Sequence, residues 1–219
     1  MASLPVVAID GPVGVGKSSV ARRIAERLGF LFLDTGAMYR AVTLKFLELP
    51  EHERTDERLA ALGESLDIEL ANDGTVLLGG RDVTLDIRDE RVSRAVAIAA
   101  DSRAVREALV RKQRAIGSAR PCVMEGRDIT TVVFPDARWK FYLDASARVR
   151  AQRRVDQLQA MGKEASFASI HRDLVERDAR DRAREWGALS IAADATVIDT
   201  TEMTEQQTIA LICAIVAPA

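Results

Sequence analysis

The sequence of 219 residues lacks the features that mark secreted, membrane-spanning or disulfide-stabilised proteins. Its two cysteines, Cys122 and Cys213, lie far apart and show no metal-ligand spacing. We therefore expect both to be small buried side chains in a reducing compartment. No apolar stretch approaches the roughly 18 residues of a membrane span, and the first strand begins too early to leave room for a signal peptide. These absences predict a cytoplasmic protein without a membrane partner.

A strong charge of either sign is also absent, since the formal net charge is −2. The chain therefore has no global basic field that would attract a nucleic-acid polymer. Repeats and low-complexity segments are missing as well. Hydrophobic residues make up 47% of the chain, enough for a sizeable core. The length fits one α/β domain with an insertion, or two small domains.

The strongest motif follows a short apolar run at residues 6–9, which predicts a buried strand. Its spacing is G-x-x-x-x-G-K-S, and its residues are Gly11, Pro12, Val13, Gly14, Val15, Gly16, Lys17 and Ser18, followed by Ser19. A helical pattern starts directly afterwards, so strand, glycine-rich loop and helix give the context of a P-loop. We expect Lys17 to reach the β- and γ-phosphates of a nucleotide and Ser18 to offer its hydroxyl to Mg²⁺.

The rest of the chain predicts an α/β fold with a five-stranded, doubly wound parallel sheet. After the first strand, further strands of this sheet are expected at residues 30–33, 121–125, 139–143 and 195–199. Asp-Gly and Gly-Gly turns within residues 67–83 indicate a small antiparallel β insert. Helices are expected at 37–49, 56–66, about 90–100, 102–117, within 147–185 and at 204–216. Residues 126–135 are expected to form an irregular loop.

Ligands of such sheets bind at the carboxyl ends of the strands. Besides the P-loop, this edge should hold Thr35 and Arg40 after the second strand, and residues 125–128 after the third. We expect Thr35 to be the N-cap of its helix. Arginines and a helix start that converge beside a P-loop fit a second bound anion. The sequence thus predicts a site for two phosphorylated ligands.

The stretch 147–185 is polar, helical and rich in arginine. Its nine arginines are residues 148, 150, 153, 154, 172, 177, 180, 182 and 184, and acidic residues are interleaved with them. A charge-rich helix pair is commonly a solvated face laced with salt bridges. Phosphates bound nearby would favour a mobile arginine lid instead.

Four strings resemble the bacterial cytidylate kinases, which are P-loop nucleoside monophosphate kinases. They are residues 11–19, 34–40, 125–136 and 176–181, and the resemblance covers nearly the whole chain, including the β insert. It implies transfer of the γ-phosphoryl group of ATP to CMP or dCMP. It also implies one kinase domain over residues 1–219. The core would comprise about 1–35, 118–146 and 190–219, the monophosphate-binding region about 36–117, and the lid about 147–189.

The resemblance further implies roles for individual residues. Residues 11–19 would bind ATP phosphates and Mg²⁺, the latter at Ser18, and Arg153 and Arg154 would meet ATP when the lid closes. The residues expected on the CMP side are Thr35, Arg40, Arg106, Arg127, Asp128, Arg177, Asp181 and Arg184. Of these, Asp128 and Arg106 would read the cytosine edge, and Arg177 and Asp181 would hold the ribose. Lys17, Arg127 and Arg184 would be the catalytic cations.

Two departures from the family pattern stand out. Ala97 occupies a position near the base where the family often has serine, and residues 185–191 replace the usual Ala-Val-Ala-Pro-Leu segment. Two alternatives stay open at this point. The first is a P-loop kinase for another acceptor, such as UMP, AMP or a shikimate-like alcohol. The second is an ATPase switch in which Glu125 and Asp128 imitate a Walker B pair. Neither a heptad pattern nor a large apolar patch is present, so we expect a monomer.

Overall fold

The structure is a computed structural model and describes residues 4–216. Its main sheet contains five parallel strands in the order β2-β6-β1-β7-β8. These strands are β1 (Val6–Asp10), β2 (Leu31–Asp34), β6 (Cys122–Gly126), β7 (Trp139–Asp144) and β8 (Thr196–Asp199). The predicted doubly wound α/β fold is confirmed, with every strand within one residue of its expected bounds.

Helices cover both faces of this sheet and build the regions beside it. They are α1 (Lys17–Leu28), α2 (Thr35–Glu48), α3 (Asp56–Ser65), α4 (Glu90–Asp101), α5 (Arg103–Ala119), α6 (Ala147–Ala160), α7 (Phe167–Ala183) and α8 (Glu205–Val216). The last begins with a capping box, because the backbone N–H groups and side chains of Thr204 and Gln207 bond reciprocally. Within residues 4–216, no helix has both the length and the apolar character needed to cross a membrane.

The side chains of β1 point alternately into two hydrophobic cores, one on each face of the main sheet. Val7 and Ile9 pack with α1 and α8 on one face, and Val6 and Ala8 pack with α5 and β6 on the other. Both faces of the central strand are therefore buried, which explains why it is apolar throughout until its last residue, Asp10.

The predicted antiparallel insert is confirmed as a separate sheet of three strands, β3 (Ile68–Leu70), β4 (Val76–Leu78) and β5 (Arg81–Asp82). Apolar side chains from β3 and β4 join a third buried cluster with α2, α3, α4 and α5. The insert thereby packs on the helices of residues 35–119 as a sheet separate from the main one.

Two sequence predictions at this edge were wrong. The N-cap of α2 is Asp34, whose side chain accepts a hydrogen bond from the N–H of Ala37 at 3.1 Å. Thr35 is instead the first residue of the helix, and its hydroxyl donates to the backbone carbonyl of Glu125 on the neighbouring strand at 2.8 Å. The expected irregular loop contains a five-residue π-helix, Ile129–Val133.

Candidate active site

The candidate site lies where the direction of the sheet's winding changes. From β1 the chain crosses to β2 on one side of the sheet, whereas from β6 it crosses to β7 and β8 on the other. The carboxyl ends of β1 and β6 are hydrogen-bonded neighbours, with Asp10 paired to Gly126. A crevice opens at such a switch point, and the P-loop and residues 125–128 both lie there.

The P-loop has the backbone shape that its glycines permit. Gly11, Gly14 and Gly16 have φ values of +152°, +75° and +96°. A Cβ atom at Gly11 would lie 2.2 Å from the carbonyl oxygen of Leu143, so the loop can pass this strand only as glycine. Among residues 4–216, no side chain caps the start of α1, whose N-cap is Gly16. Its first N–H groups are thus available to an anion, which the helix dipole also attracts.

Lys17 and Ser18 begin α1 and face the crevice from the P-loop side. The Lys17 ammonium is buried and donates to the carbonyl of Pro12 at 2.7 Å. Burial, followed by the positive charge of Arg127, lowers the pKa of Lys17. The Ser18 hydroxyl donates to Glu125 at 2.6 Å, and burial, followed by the charge of Asp34, raises the pKa of that carboxyl group. A bound phosphate would favour the charged form of Lys17.

Positive charge is concentrated on the other side of the crevice. Burial lowers the pKa of Arg40, and the charge of Arg177 lowers it further. Burial, followed by the charge of Arg127, also lowers the pKa of Arg177. Three guanidinium groups from α2, α7 and the end of β6 thus repel one another in a partly desolvated space. Such a cluster is suited to a phosphate, which can satisfy several guanidinium groups at once.

Asp181 links two of the predicted CMP-side arginines. Its two carboxylate oxygens accept from Arg127 Nε and Arg184 Nη2, each at 2.8 Å. Burial would raise the pKa of Asp181, but the charges of Arg127 and Arg184 outweigh it and lower that pKa. Arg184 also donates to Asp101 at 2.9 Å, which connects the end of α7 with the end of α4.

Beside this cluster lies a buried ion pair between Arg106 and Asp128. The two side chains are 2.6 Å apart and only 3% and 6% exposed. Arg106 also donates to the carbonyl of Ala100 at 3.0 Å, and its guanidinium carbon lies 5.2 Å from the centre of the Tyr39 ring. The Arg106 Nε has no hydrogen-bond partner among the described residues. A buried donor without a partner beside a buried carboxylate is suited to a polar, planar ligand.

The remaining predicted residues occupy different surroundings. Arg40, a member of the arginine cluster, also donates to the Ser93 hydroxyl at 2.8 Å. The structure does not bring Arg153 and Arg154 to the P-loop. Arg153 donates to the carbonyls of Thr200 and Met203, at 2.6 and 3.3 Å, and Arg154 points to the exposed Gln157 at 2.6 Å.

Sequence reasoning missed a buried contact between the arginine-rich stretch 147–185 and the P-loop. Asp178 of α7 accepts from the Val13 N–H at 3.0 Å and pairs with Arg150 of α6 at 2.6 Å. Arg150 in turn donates to the Val13 carbonyl at 2.8 Å and to that of Ala145 at 2.9 Å. No sequence signal separates Arg150 from the other eight arginines of the stretch.

Sequence reasoning also missed Asp10, whose side chain is hydrogen-bonded to the segment that follows β6. Its carboxylate accepts from the backbone N–H groups of Ile129 and Thr130, and from the Thr130 hydroxyl, at 2.9, 2.7 and 2.6 Å. Burial nevertheless raises its pKa to about 6. These bonds fix the turn that carries Arg127 and Asp128. An acidic residue at the end of an otherwise apolar strand was the available signal.

Comparison with known proteins decides the family. The sequence model of the family described as Cytidylate kinase matches residues 7–217. The chain belongs to the cytidylate kinase family. A cytidylate kinase from Caldanaerobacter subterraneus subsp. tengcongensis is 43% identical over 203 residues, covering 93% of this chain and 90% of the relative. One from Thermodesulfovibrio yellowstonii is 45% identical over 212 residues, covering 94% and 95%.

Solved structures with a similar fold are much more distant in sequence. An uncharacterized protein from Eubacterium ventriosum superposes with a TM-score of 0.54 at 8% identity, covering 97% of each chain. A gluconokinase from Sinorhizobium meliloti 1021 has a TM-score of 0.50 at 17% identity, covering 97% of this chain and 90% of its own. At these identities the likeness shows the fold alone.

Proposed function

We propose that this cytidylate kinase family member transfers the γ-phosphoryl group of ATP to CMP or dCMP, giving ADP and CDP or dCDP. The observation that carries the proposal is the buried Arg106–Asp128 pair beside a P-loop. An aspartate accepts a hydrogen bond from the exocyclic amine that cytosine has and uracil lacks. A buried acceptor oxygen of Asp128 for which uracil offers no amine donor costs about 1–3 kcal/mol, enough for discrimination between the two bases.

The donor half of the site would be residues 11–19. The backbone N–H groups and Lys17 would bind the ATP phosphates. The Ser18 hydroxyl, with Glu125 2.6 Å away, provides the hard oxygen ligands that Mg²⁺ prefers. Residues 4–216 contain no group of three or more potential ligands from His, Cys, Asp and Glu, which suits an ion completed by phosphate oxygens and water. Bound there, Mg²⁺ would neutralise charge on the transferred group.

The acceptor half would be the arginine cluster of α2, β6 and α7. The CMP phosphate would be held by four arginines, which are Arg40, Arg127, Arg177 and Arg184. Asp181 would exchange its hydrogen bonds from arginines for hydrogen bonds from the ribose hydroxyls. The attacking oxygen belongs to a phosphate that is already anionic at neutral pH, so no strong general base is needed. Catalysis would then consist of alignment and charge neutralisation by Lys17 and the arginines.

The segment of α6 and α7 would act as a lid over the two substrates, between a core and a monophosphate-binding region with the bounds given above. Closure would exclude water, which otherwise hydrolyses ATP. Arg153 and Arg154 would have to exchange their present partners, Thr200, Met203 and Gln157, for ATP phosphates in such a state.

A steady-state assay tests the proposal. ATP is supplied with CMP, dCMP, UMP or AMP in turn, or with no acceptor, and ADP release is followed. We expect turnover with CMP and dCMP, and a CMP:UMP ratio of kcat/KM that falls at least about tenfold in Asp128→Ala. The control Asp136→Ala changes an exposed acid eight residues further along and should keep the ratio. ADP release without an acceptor would identify an ATPase instead, and an unchanged ratio in Asp128→Ala would refute the base-reading assignment.

A further inference from the structure

The segment at which this chain departs from its family's pattern lies against the base-reading pair. The carbonyl oxygen of Gly187 accepts from Arg106 Nη2 at 3.3 Å and from Arg184 Nη1 at 3.4 Å. The guanidinium carbon of Arg106 lies 5.9 Å from the centre of the Trp186 ring. The Leu189 N–H donates to the carbonyl of Asp181 at 2.8 Å, which fixes the segment to the end of α7.

Two features of Gly187 restrict this position to glycine. Its φ is +68°, in the left-handed region that other residues avoid. A Cβ atom there would lie 2.2 Å from Arg106 Nη2 and 2.6 Å from both Cζ and Nε. The guanidinium group has little freedom to retreat, since Arg106 is 2% exposed and bonded to Asp128 and Ala100.

We propose that Gly187 is a specificity-determining positioning residue. Because Gly187 has no side chain, the Arg106 guanidinium group can lie against its backbone. The Gly187 carbonyl accepts from Arg106 and holds the guanidinium group where it pairs with Asp128, which fixes the orientation of that carboxylate. The same carbonyl also holds Arg184, so the segment after α7 places one base-side and one phosphate-side arginine together. This inference rests on the proposed function, because it assumes that Asp128 and Arg106 read the base.

The test compares Gly187→Ala with Gly29→Ala. Gly29 follows α1 with a φ of +68°, and a Cβ there would meet no atom within 4 Å. Both variants thus acquire similar backbone strain, but only Gly187→Ala displaces Arg106. We expect the KM for CMP to rise about tenfold and the CMP:UMP ratio of kcat/KM to fall about tenfold, with the KM for ATP within about twofold. Gly29→Ala should keep all three values.

A second variant separates strain from displacement. Asparagine tolerates the left-handed region better than alanine but carries the same Cβ, so Gly187→Asn should lose specificity as Gly187→Ala does. An unchanged CMP:UMP ratio in either folded variant would overturn the inference. So would failure of Gly187→Asn to fold where Gly29→Asn folds, because Gly187 would then serve stability alone.

Asp128→Ala, assayed alongside, distinguishes the two proposals. If it lowers the CMP:UMP ratio and the Gly187 variants do not, the positioning role is wrong and the proposed function stands. If Asp128→Ala leaves the ratio unchanged, base reading is wrong and the role of Gly187 falls with it.

Discussion

The contact between α7 and the P-loop leads to a quantitative prediction for Asp178→Asn. Asp178 and Arg150 have side chains only 3% and 5% exposed and lie 2.6 Å apart. Asparagine has nearly the same shape and can still accept from the Val13 N–H, but it carries no charge. The substitution therefore leaves a buried guanidinium group without its counterion.

Breaking a buried ion pair in this way typically costs about 3–5 kcal/mol. We expect the lower end, about 3 kcal/mol, because the carbonyls of Val13 and Ala145 still accept from Arg150. For a chain of this size the melting temperature should fall by about 6–12 °C. Since the pair joins α6 and α7 to the P-loop, the KM for ATP should rise more than the KM for CMP.

Urea unfolding, hydrogen exchange of the α7 amides and steady-state kinetics measure these effects. The control is Glu107→Gln, which removes the charge from an Arg103–Glu107 pair whose side chains are 75% and 40% exposed. Exposed pairs of this kind contribute little, so the control should behave like the unchanged protein. The reasoning is refuted if Asp178→Asn unfolds at the same urea concentration as Glu107→Gln and its α7 amides exchange no faster.

Three further outcomes follow from the site. Lys17→Met should lower kcat by about 10³-fold without lowering the urea midpoint, because burial already disfavours the Lys17 charge. Gly11→Ala should cost about 3 kcal/mol in urea unfolding through its clash with Leu143, whereas Gly29→Ala, at φ +68° with no atom nearby, should cost about 1 kcal/mol. Folded Asp10 keeps its proton to about pH 6, whereas unfolded Asp10 loses it near 3.8, so Asp10 contributes less stability as pH rises. Relative to Asp10→Asn, the unchanged protein should lose about 2 kcal/mol of unfolding free energy between pH 4 and 7, which urea unfolding at each pH would measure.

The parallel sheet could be predicted from sequence because each of its strands is a local signal. Residues 6–9 and 122–124 are short apolar runs, and a strand that is buried on both faces is expected to have this pattern. The capping of α2 could not be predicted in this way. Asp34 and Thr35 are both good N-caps in isolation, and the choice depends on the Glu125 carbonyl, which β6 brings to the Thr35 hydroxyl from 90 residues away.

The motifs of the candidate site can be recognised in the sequence, but the contacts between them cannot. The recognisable motifs are the P-loop spacing and the strings around Thr35 and Arg127. The contact of Gly187 with Arg106 depends on the path of the chain after α7, where the sequence departs from the pattern that guided the other assignments. No local pattern indicates that a backbone carbonyl will meet a guanidinium group from an element 81 residues earlier.

The stretch 147–185 shows why its two interpretations are compatible. Five of its nine arginines are exposed, as a solvated face requires, and these are residues 148, 154, 172, 180 and 182. The remaining four, residues 150, 153, 177 and 184, are buried or half-buried and need partners other than water. Asp178 serves Arg150, and Asp181 serves Arg184 together with Arg127 from β6. A guanidinium group can pair with either a carboxylate or a phosphate, so a phosphate bound here would compete with Asp181 for Arg127 and Arg184. Interleaved acidic residues are therefore compatible with the proposed arginine lid, since Asp178 and Asp181 pair with Arg150 and Arg184 in this structure.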